Sequence, residues 1–294
     1  MFDDQRNPVV LRHILPSLLL VLLAMGIVMA CAQSTTSNSS SSTGQRTIPT
    51  ITIKAMDYSY DQPRSIPAGL IDLTFVNNGG EPHQANIFHL NTGVTFAQFQ
   101  SALRQYGPAG ALRLGAPVGG PNTILPGKSQ EVILNFPPGQ YASICFATGK
   151  DNIPHYMKGM VQSFIATGQD SESQVQPKAN GEVVLEDLKY ILPSTLSSGP
   201  ITLHVSNQGI EPHEMTLYQL APGKSIKDAI AFLQQPAGAP PMTEAGGMAA
   251  LEPGSSAWVK LNLQAGNYLA LCFVPDPTGK PYVMLGMITQ FAVR

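Results

Sequence analysis

The chain carries the same unit twice, and that repeat limits its fold more than any other feature. The stretch FVNNGGEPHQANIFHL, 75–90, matches HVSNQGIEPHEMTLYQL, 204–220. Each contains an Asn, a Gly and then Glu-Pro-His, leading into an alternating run. Further on, GGPNTILPGKSQEVILNFPPGQYASICF, 119–146, matches GGMAALEPGSSAWVKLNLQAGNYLALCF, 246–273. His83 thus corresponds to His213, Cys145 to Cys272 and Met160 to Met287. Solenoid units run to about 20–50 residues, so a repeat this long is a duplicated domain. The expected boundaries are 48–168 for the first domain and 182–294 for the second. Between them lies a polar linker, 169–181, without hydrophobic periodicity.

Within each unit the signals are mostly those of strands. LIDLTFV (70–76), QEVILNF (130–136) and SAWVKLNL (256–263) alternate apolar and polar residues, the period of a half-buried strand. The 27 Gly and 25 Pro among 294 residues favour turns over long helices. One helix is predicted per unit. TFAQFQSALRQY (95–106) places Phe96, Phe99, Leu103 and Tyr106 on one face, and SIKDAIAFLQQ (225–235) does so with Ile226, Ile230 and Leu233. Such stripes read as packing against a core. The expected fold is all-β: two tandem Greek-key β-sandwiches, each with one short helix insertion.

The N-terminus is a targeting segment and is kept out of the fold reading. Arg6 and Arg12 precede ILPSLLLVLLAMGIVMA, 14–30, which carries no charge, and Cys31 follows. The sequence Val28-Met29-Ala30-Cys31 resembles the cleavage box of bacterial lipoproteins. That resemblance implies a signal peptide over 1–31, with Cys31 lipidated as the first mature residue. The alternative is an uncleaved membrane helix, short for a span. Either way the remainder is expected outside the cytoplasm, on the periplasmic side or the cell surface, with the membrane as a partner through the lipid on Cys31. Residues 32–47 are Ser/Thr-rich and read as a flexible tether. A net charge of -2 and the lack of any basic run exclude a nucleic-acid partner.

With Cys31 set aside, Cys145 and Cys272 remain. An exported protein invites a disulfide. Equivalent positions of tandem domains are normally far apart, however, and a disulfide needs Cα atoms within about 7 Å. Both cysteines therefore read as free. An exported free thiol is an oxidation liability unless it is buried or bound to metal. The first unit offers His83, Cys145, His155 and Met160, with Met157 as a second thioether. One thiolate, two imidazoles and a weak thioether suit a type 1 copper ion.

The motifs NNGGEPH and GQYASIC, followed by a His and a Gly-Met, resemble those of the plastocyanin-type cupredoxins, the blue copper proteins. The resemblance covers both repeats, 48–294. It implies cupredoxin-like sandwiches and one type 1 copper in the first domain, held by His83, Cys145, His155 and Met160. Met160 is favoured over Met157 because Gly159 precedes it. Nine residues, 146–154, separate Cys145 from His155, more than the family usually has. A longer loop can still close on one metal at small entropic cost. In the second unit His213, Cys272 and Met287 are kept, but Tyr282 stands where His155 stood. A phenol with an ordinary pKa near 10 is a poor copper ligand, so this site reads as degenerate. A tyrosinate on Cu(II) or Fe(III) would need a strongly depressed pKa. His89 and His204 have no partners in the pattern.

Catalytic copper clusters use His-x-His pairs and a histidine beside the cysteine. Here Ile144 and Phe146 flank Cys145, Leu271 and Phe273 flank Cys272, and His-x-His does not occur. Nor is there a Gly-x-Ser-x-Gly elbow. The expectation is a protein that is not an enzyme: a membrane-tethered single-electron carrier with a redox partner protein the sequence does not identify. Two alternatives stand beside it, a metal-free cupredoxin-like binding or scaffold module and a copper delivery or storage protein.

Overall fold

A computed structural model of the chain describes residues 47–168 and 176–294. The expected signal segment with Cys31, the tether up to residue 46 and linker residues 169–175 lie outside the described residues. The first repeat runs β1 (Thr50–Met56), β2 (Ser59–Asp61), β3 (Ser65–Pro67), β4 (Gly69–Asn77), β5 (Asn86–Leu90), α1 (Phe96–Tyr106), α2 (Pro108–Leu114), β6 (Gly115–Gly119), β7 (Ser129–Phe136), β8 (Gly139–Ile144) and β9 (Val161–Thr167). The second runs β10 (Gly181–Glu186), β11 (Lys189–Ile191), β12 (Thr195–Leu196), β13 (Gly199–Asn207), β14 (His213–Leu220), α3 (Ile226–Gln234), β15 (Met242–Leu251), β16 (Ser256–Leu263), β17 (Gly266–Leu271) and β18 (Ile288–Val293). The strands recur in the same order, and the all-β sandwich class is as expected.

Alternation decides which side chains enter the core. Along β4 every second residue is buried, so Ile71, Leu73 and Phe75 point inward, as a period of two requires. The pairing joins the repeats into two continuous sheets. One runs β11-β10-β13-β16-β7-β4-β1-β2, the other β12-β18-β17-β14-β15-β6-β5-β8-β9-β3. Each order reads the same from either end once repeat equivalents are exchanged. At the first seam Val132 of β7 pairs with Val259 of β16, its own counterpart. At the second, Pro121 bridges Met248, again its counterpart. Residues that meet their own equivalents lie on a two-fold axis, the self-complementary geometry of a symmetric dimer interface. One apolar cluster accordingly draws residues such as Phe75, Leu134, Val205 and Val259 from both repeats.

The helices differ in part from the expectation. The first repeat has two, α1 and α2, where one was expected. Gly107, at φ 59, ends α1, and Pro108 opens α2 at its first turn, where its fixed φ suits a helix start. On α1, Phe99 and Leu103 are buried, but Tyr106 is exposed and lies under the Arg113 guanidinium. On α3 the buried residue is Ala229, and Ile230 faces solvent. Among the described residues no helix is long and apolar enough to cross a membrane.

Candidate metal centre

The first centre begins at the end of β4. The Asn77 side chain donates to the carbonyls of Glu81 (2.9 Å) and Ile124 (3.0 Å) and accepts the Gly79 amide (2.9 Å). That pins the turn 78–82 and delivers His83, whose backbone exchanges hydrogen bonds with Ile124. This is the physical content of the Asn-Gly-Glu-Pro-His motif. Asn207 does the same in the second repeat, with bonds to the Glu211 and Leu251 carbonyls at 2.8 Å each. Cys145 directly follows β8. The long loop after it closes on itself: Thr148 bridges Pro154, and the Gly149 amide donates to the Ile153 carbonyl at 3.1 Å. His155 then opens a short 3₁₀ turn, His155–Lys158, which stops at Gly159 with φ 106. Met160 donates its amide to the His155 carbonyl (3.0 Å) and accepts the Cys145 amide (3.1 Å). Met160 is fully buried, whereas Met157 is 47% exposed.

Three donor atoms converge. The Cys145 Sγ lies 3.8 Å from His83 Nδ1 and 3.5 Å from His155 Nδ1, and the two Nδ1 atoms are 3.0 Å apart. All three residues are buried. Among the described residues this trio is the one such cluster of His, Cys and acidic donors. The outer nitrogens are also fixed: His83 Nε2 meets Asp57 Oδ1 at 2.7 Å, and His155 Nε2 meets Glu81 Oε2 at 2.9 Å. An ionised carboxylate only accepts, so each Nε2 carries its proton and each Nδ1 turns a lone pair inward. Two lone pairs and a thiol then face one another in a dry site. A soft cation fits that arrangement, and copper suits this mixture of sulfur and imidazole donors.

Asp57 was not singled out in the sequence, and Glu81 and Gly79 entered only as members of the Asn-Gly-Glu-Pro-His motif, without a role of their own. A Cβ on Gly79 would collide with the Asp57 carboxylate and the His83 ring, so glycine is needed for that pair to meet. One signal for Asp57 was present: Asp187 occupies the matching place in the second repeat. Glu81 is anchored by the Lys150 amide and by Tyr58, whose hydroxyl also receives Lys158.

The electrostatics follow from burial. Desolvation pushes the Cys145 thiol up to about 12, opposed by the amides of Gln84 and Ala147 and by the Tyr60 hydroxyl. His155 is lowered, first by desolvation and then by His83, with Glu81 opposing. Burial raises Asp57, but the Gly80 amide and His83 outweigh it and the net shift is downward. Glu81 is lowered by the Lys150 amide and by His155, against desolvation.

The second centre repeats this frame with one donor changed. His213 Nδ1 lies 3.7 Å from Cys272 Sγ, and His213 Nε2 meets Asp187 at 2.8 Å. Tyr282 donates its amide to Val274 (2.9 Å) as His155 does to Ala147 (2.9 Å). Its ring sits edge-on to His213, centroids 4.6 Å apart. Met287 is buried like Met160 and bonds to Cys272 and Tyr282 in the same way. Desolvation, with Glu211, Asp187, Asp276 and Cys272 nearby, raises Tyr282 to about 12, opposite to the depression a tyrosinate ligand needs. Cys145 and Cys272 are both free and buried. His89 stacks on Tyr141 (4.6 Å, 14°), and His204 pairs with Glu182 at 2.7 Å against Trp258; neither joins a centre.

No family model and no curated protein matches the chain. Solved structures similar to it include the dithionite-reduced auracyanin of Roseiflexus castenholzii, at 24% identity over 40% of this chain and 97% of that one, with a TM-score of 0.29. A multicopper oxidase matches at 17% identity over 85% of this chain and 90% of that one, TM-score 0.26. The copper nitrite reductase of Nitrosomonas europaea matches at 11% identity over 84% and 94%, TM-score 0.25. TM-scores of that size leave the class to the topology and donor set of the chain itself. These define a cupredoxin-like fold, tandem β-sandwich repeats with one buried His-Cys-His cluster among the described residues.

The comparison corrects one expectation. The multicopper oxidase and the nitrite reductase are enzymes, so the expectation that this chain is not an enzyme is overturned. That expectation rested on the sequence neighbours of the two cysteines and on the lack of His-x-His pairs and of a Gly-x-Ser-x-Gly elbow. Residues far apart in sequence meet only in the fold, as Asp57 and Glu81 meet the two histidines here.

Proposed function

We propose that the first centre holds one copper ion of type 1 character and that the protein passes single electrons through it. The observation that carries this reading is the convergence of His83 Nδ1, His155 Nδ1 and Cys145 Sγ within 3.0–3.8 Å, buried, with both outer nitrogens tied to carboxylates. Copper in such a set would alternate between Cu(I) and Cu(II), and thiolate, imidazole and thioether suit both states. Cys145 supplies the strong ligand once its proton leaves. His83 and His155 supply imidazoles already in the required tautomer, and Met160 supplies the weak fourth donor. Asp57 and Glu81 hold the rings, so little has to move as charge changes. The second repeat, with Tyr282 in the histidine position, serves as a scaffold without copper. The protein is tethered outside the cytoplasm through a lipid on Cys31 and exchanges electrons with a protein partner.

Voltammetry with a competing copper chelator separates this from copper delivery. An electron carrier gives a reversible one-electron couple and keeps its copper. Loss of copper to the chelator within minutes, with no reversible couple, would favour delivery.

A further inference from the structure

A cavity of about 400 Å³ is lined by residues of both repeats. Its walls come in equivalent pairs: Phe146 faces with Phe273, Phe88 with Tyr218, and Gln84 with Glu214. The volume is near the lower end of small-molecule sites, roughly 300–1,000 Å³. The pairs are not chemically equal. Glu214 stands where the first repeat has the neutral Gln84, and Glu244 adds a second carboxylate to the same wall. No Lys, Arg or His lines the cavity. Glu214 is 7% exposed, and its charge has only neutral partners: the Phe273 amide at 2.8 Å on Oε1 and the Asn122 side chain at 3.3 Å on Oε2.

We infer that this cavity binds a small organic cation, an alkylammonium of about choline size. Two carboxylates and four aromatic rings line this cavity with no basic side chain among them, so the negative charge has no cationic partner there. A positive ligand supplies one, and aromatic faces add attraction to a diffuse ammonium charge. The hydrogen bonds already made to both oxygens of Glu214 decide between ligand classes. A hard divalent ion needs direct oxygen ligands at about 2.0–2.6 Å and would have to displace the Phe273 and Asn122 donors. An alkylammonium acts at longer range and leaves them in place. The inference does not depend on copper in the neighbouring centre.

The test is calorimetric titration of the full chain, without added metal, using choline and its neutral isostere 3,3-dimethylbutan-1-ol. Choline is expected to bind at least about tenfold more tightly than the alcohol. Glu214→Gln and Glu244→Gln should each weaken choline severalfold and leave the alcohol unchanged. Glu244 is only half-buried, so its variant keeps the test decisive if Glu214→Gln does not fold. Equal binding of the two probes, no binding of either, binding of Ca²⁺ or Zn²⁺ in their place, or indifference to Glu244→Gln would each overturn the inference.

Discussion

One donor residue separates the two centres. Tyr282 sits on the same backbone bond as His155, to Val274 in place of Ala147, and Glu211 matches Glu81 in the repeat. A histidine there would meet His213 and Cys272 with a carboxylate already nearby. Tyr282→His is expected to raise bound copper from one to two per chain, read by elemental analysis; a ratio unchanged at one would show that more than this donor was lost. The thiols give a prediction of their own. Cys145 has a folded value of about 12 against an ordinary 9.0. Its contribution to stability is whole below pH 9 and is lost as pH rises toward 12, at about 1.4 kcal/mol per pH unit. Cys272, Tyr60 and Tyr190 are raised by burial in the same direction. The metal-free protein should unfold at lower urea concentration at pH 10.5 than at pH 8.5. An unchanged or higher midpoint would contradict this. His83, Cys145 and Met160 were legible in the sequence because an imidazole, a thiol and a thioether recur at matched repeat positions, in His213, Cys272 and Met287. Asp57 and Glu81 were not, because carboxylates are ordinary surface residues until a fold sets them against a ring.

At the scale of elements, the turn before His83 and the loop before His155 position the centre. Gly79 leaves the space in which Asp57 reaches the His83 ring. Gly79→Ala should displace that carboxylate and weaken copper binding by about 10–100-fold, the range seen when such supporting partners are lost. Competition with a chromogenic chelator measures this, and parental affinity would show that Asp57 is dispensable. Alternation made β4, β7 and β16 readable in the sequence, and the Asn-Gly turn marked the end of β4. The second helix of the first repeat was missed because α2 has only seven residues, PAGALRL, too few for a period to declare itself. Closure of the 146–154 loop was equally hidden, since it depends on main-chain bonds from Thr148, Gly149, Ile153 and Pro154.

At the scale of the molecule, duplication has produced an internal counterpart of a symmetric dimer. The repeat was visible in the sequence. The seam was not, because alternation along β7 and β16 shows which face is buried but not which strand lies alongside. Residues 47–168 expressed alone would expose the edges of β7 and β6, which in the full chain are covered by β16 and β15. That fragment is expected to dimerise with Val132 against Val132, as Val132 now meets Val259; light scattering showing a stable monomer would contradict this. The central claim is a copper centre in the first repeat. Its most direct test is the visible spectrum and copper content of the full chain after Cu(II) addition, beside Cys145→Ser and Cys272→Ser. An intense band near about 600 nm with one copper per chain, lost in Cys145→Ser and kept in Cys272→Ser, is the predicted result. No band in the parent, or a band that survives Cys145→Ser, would contradict it.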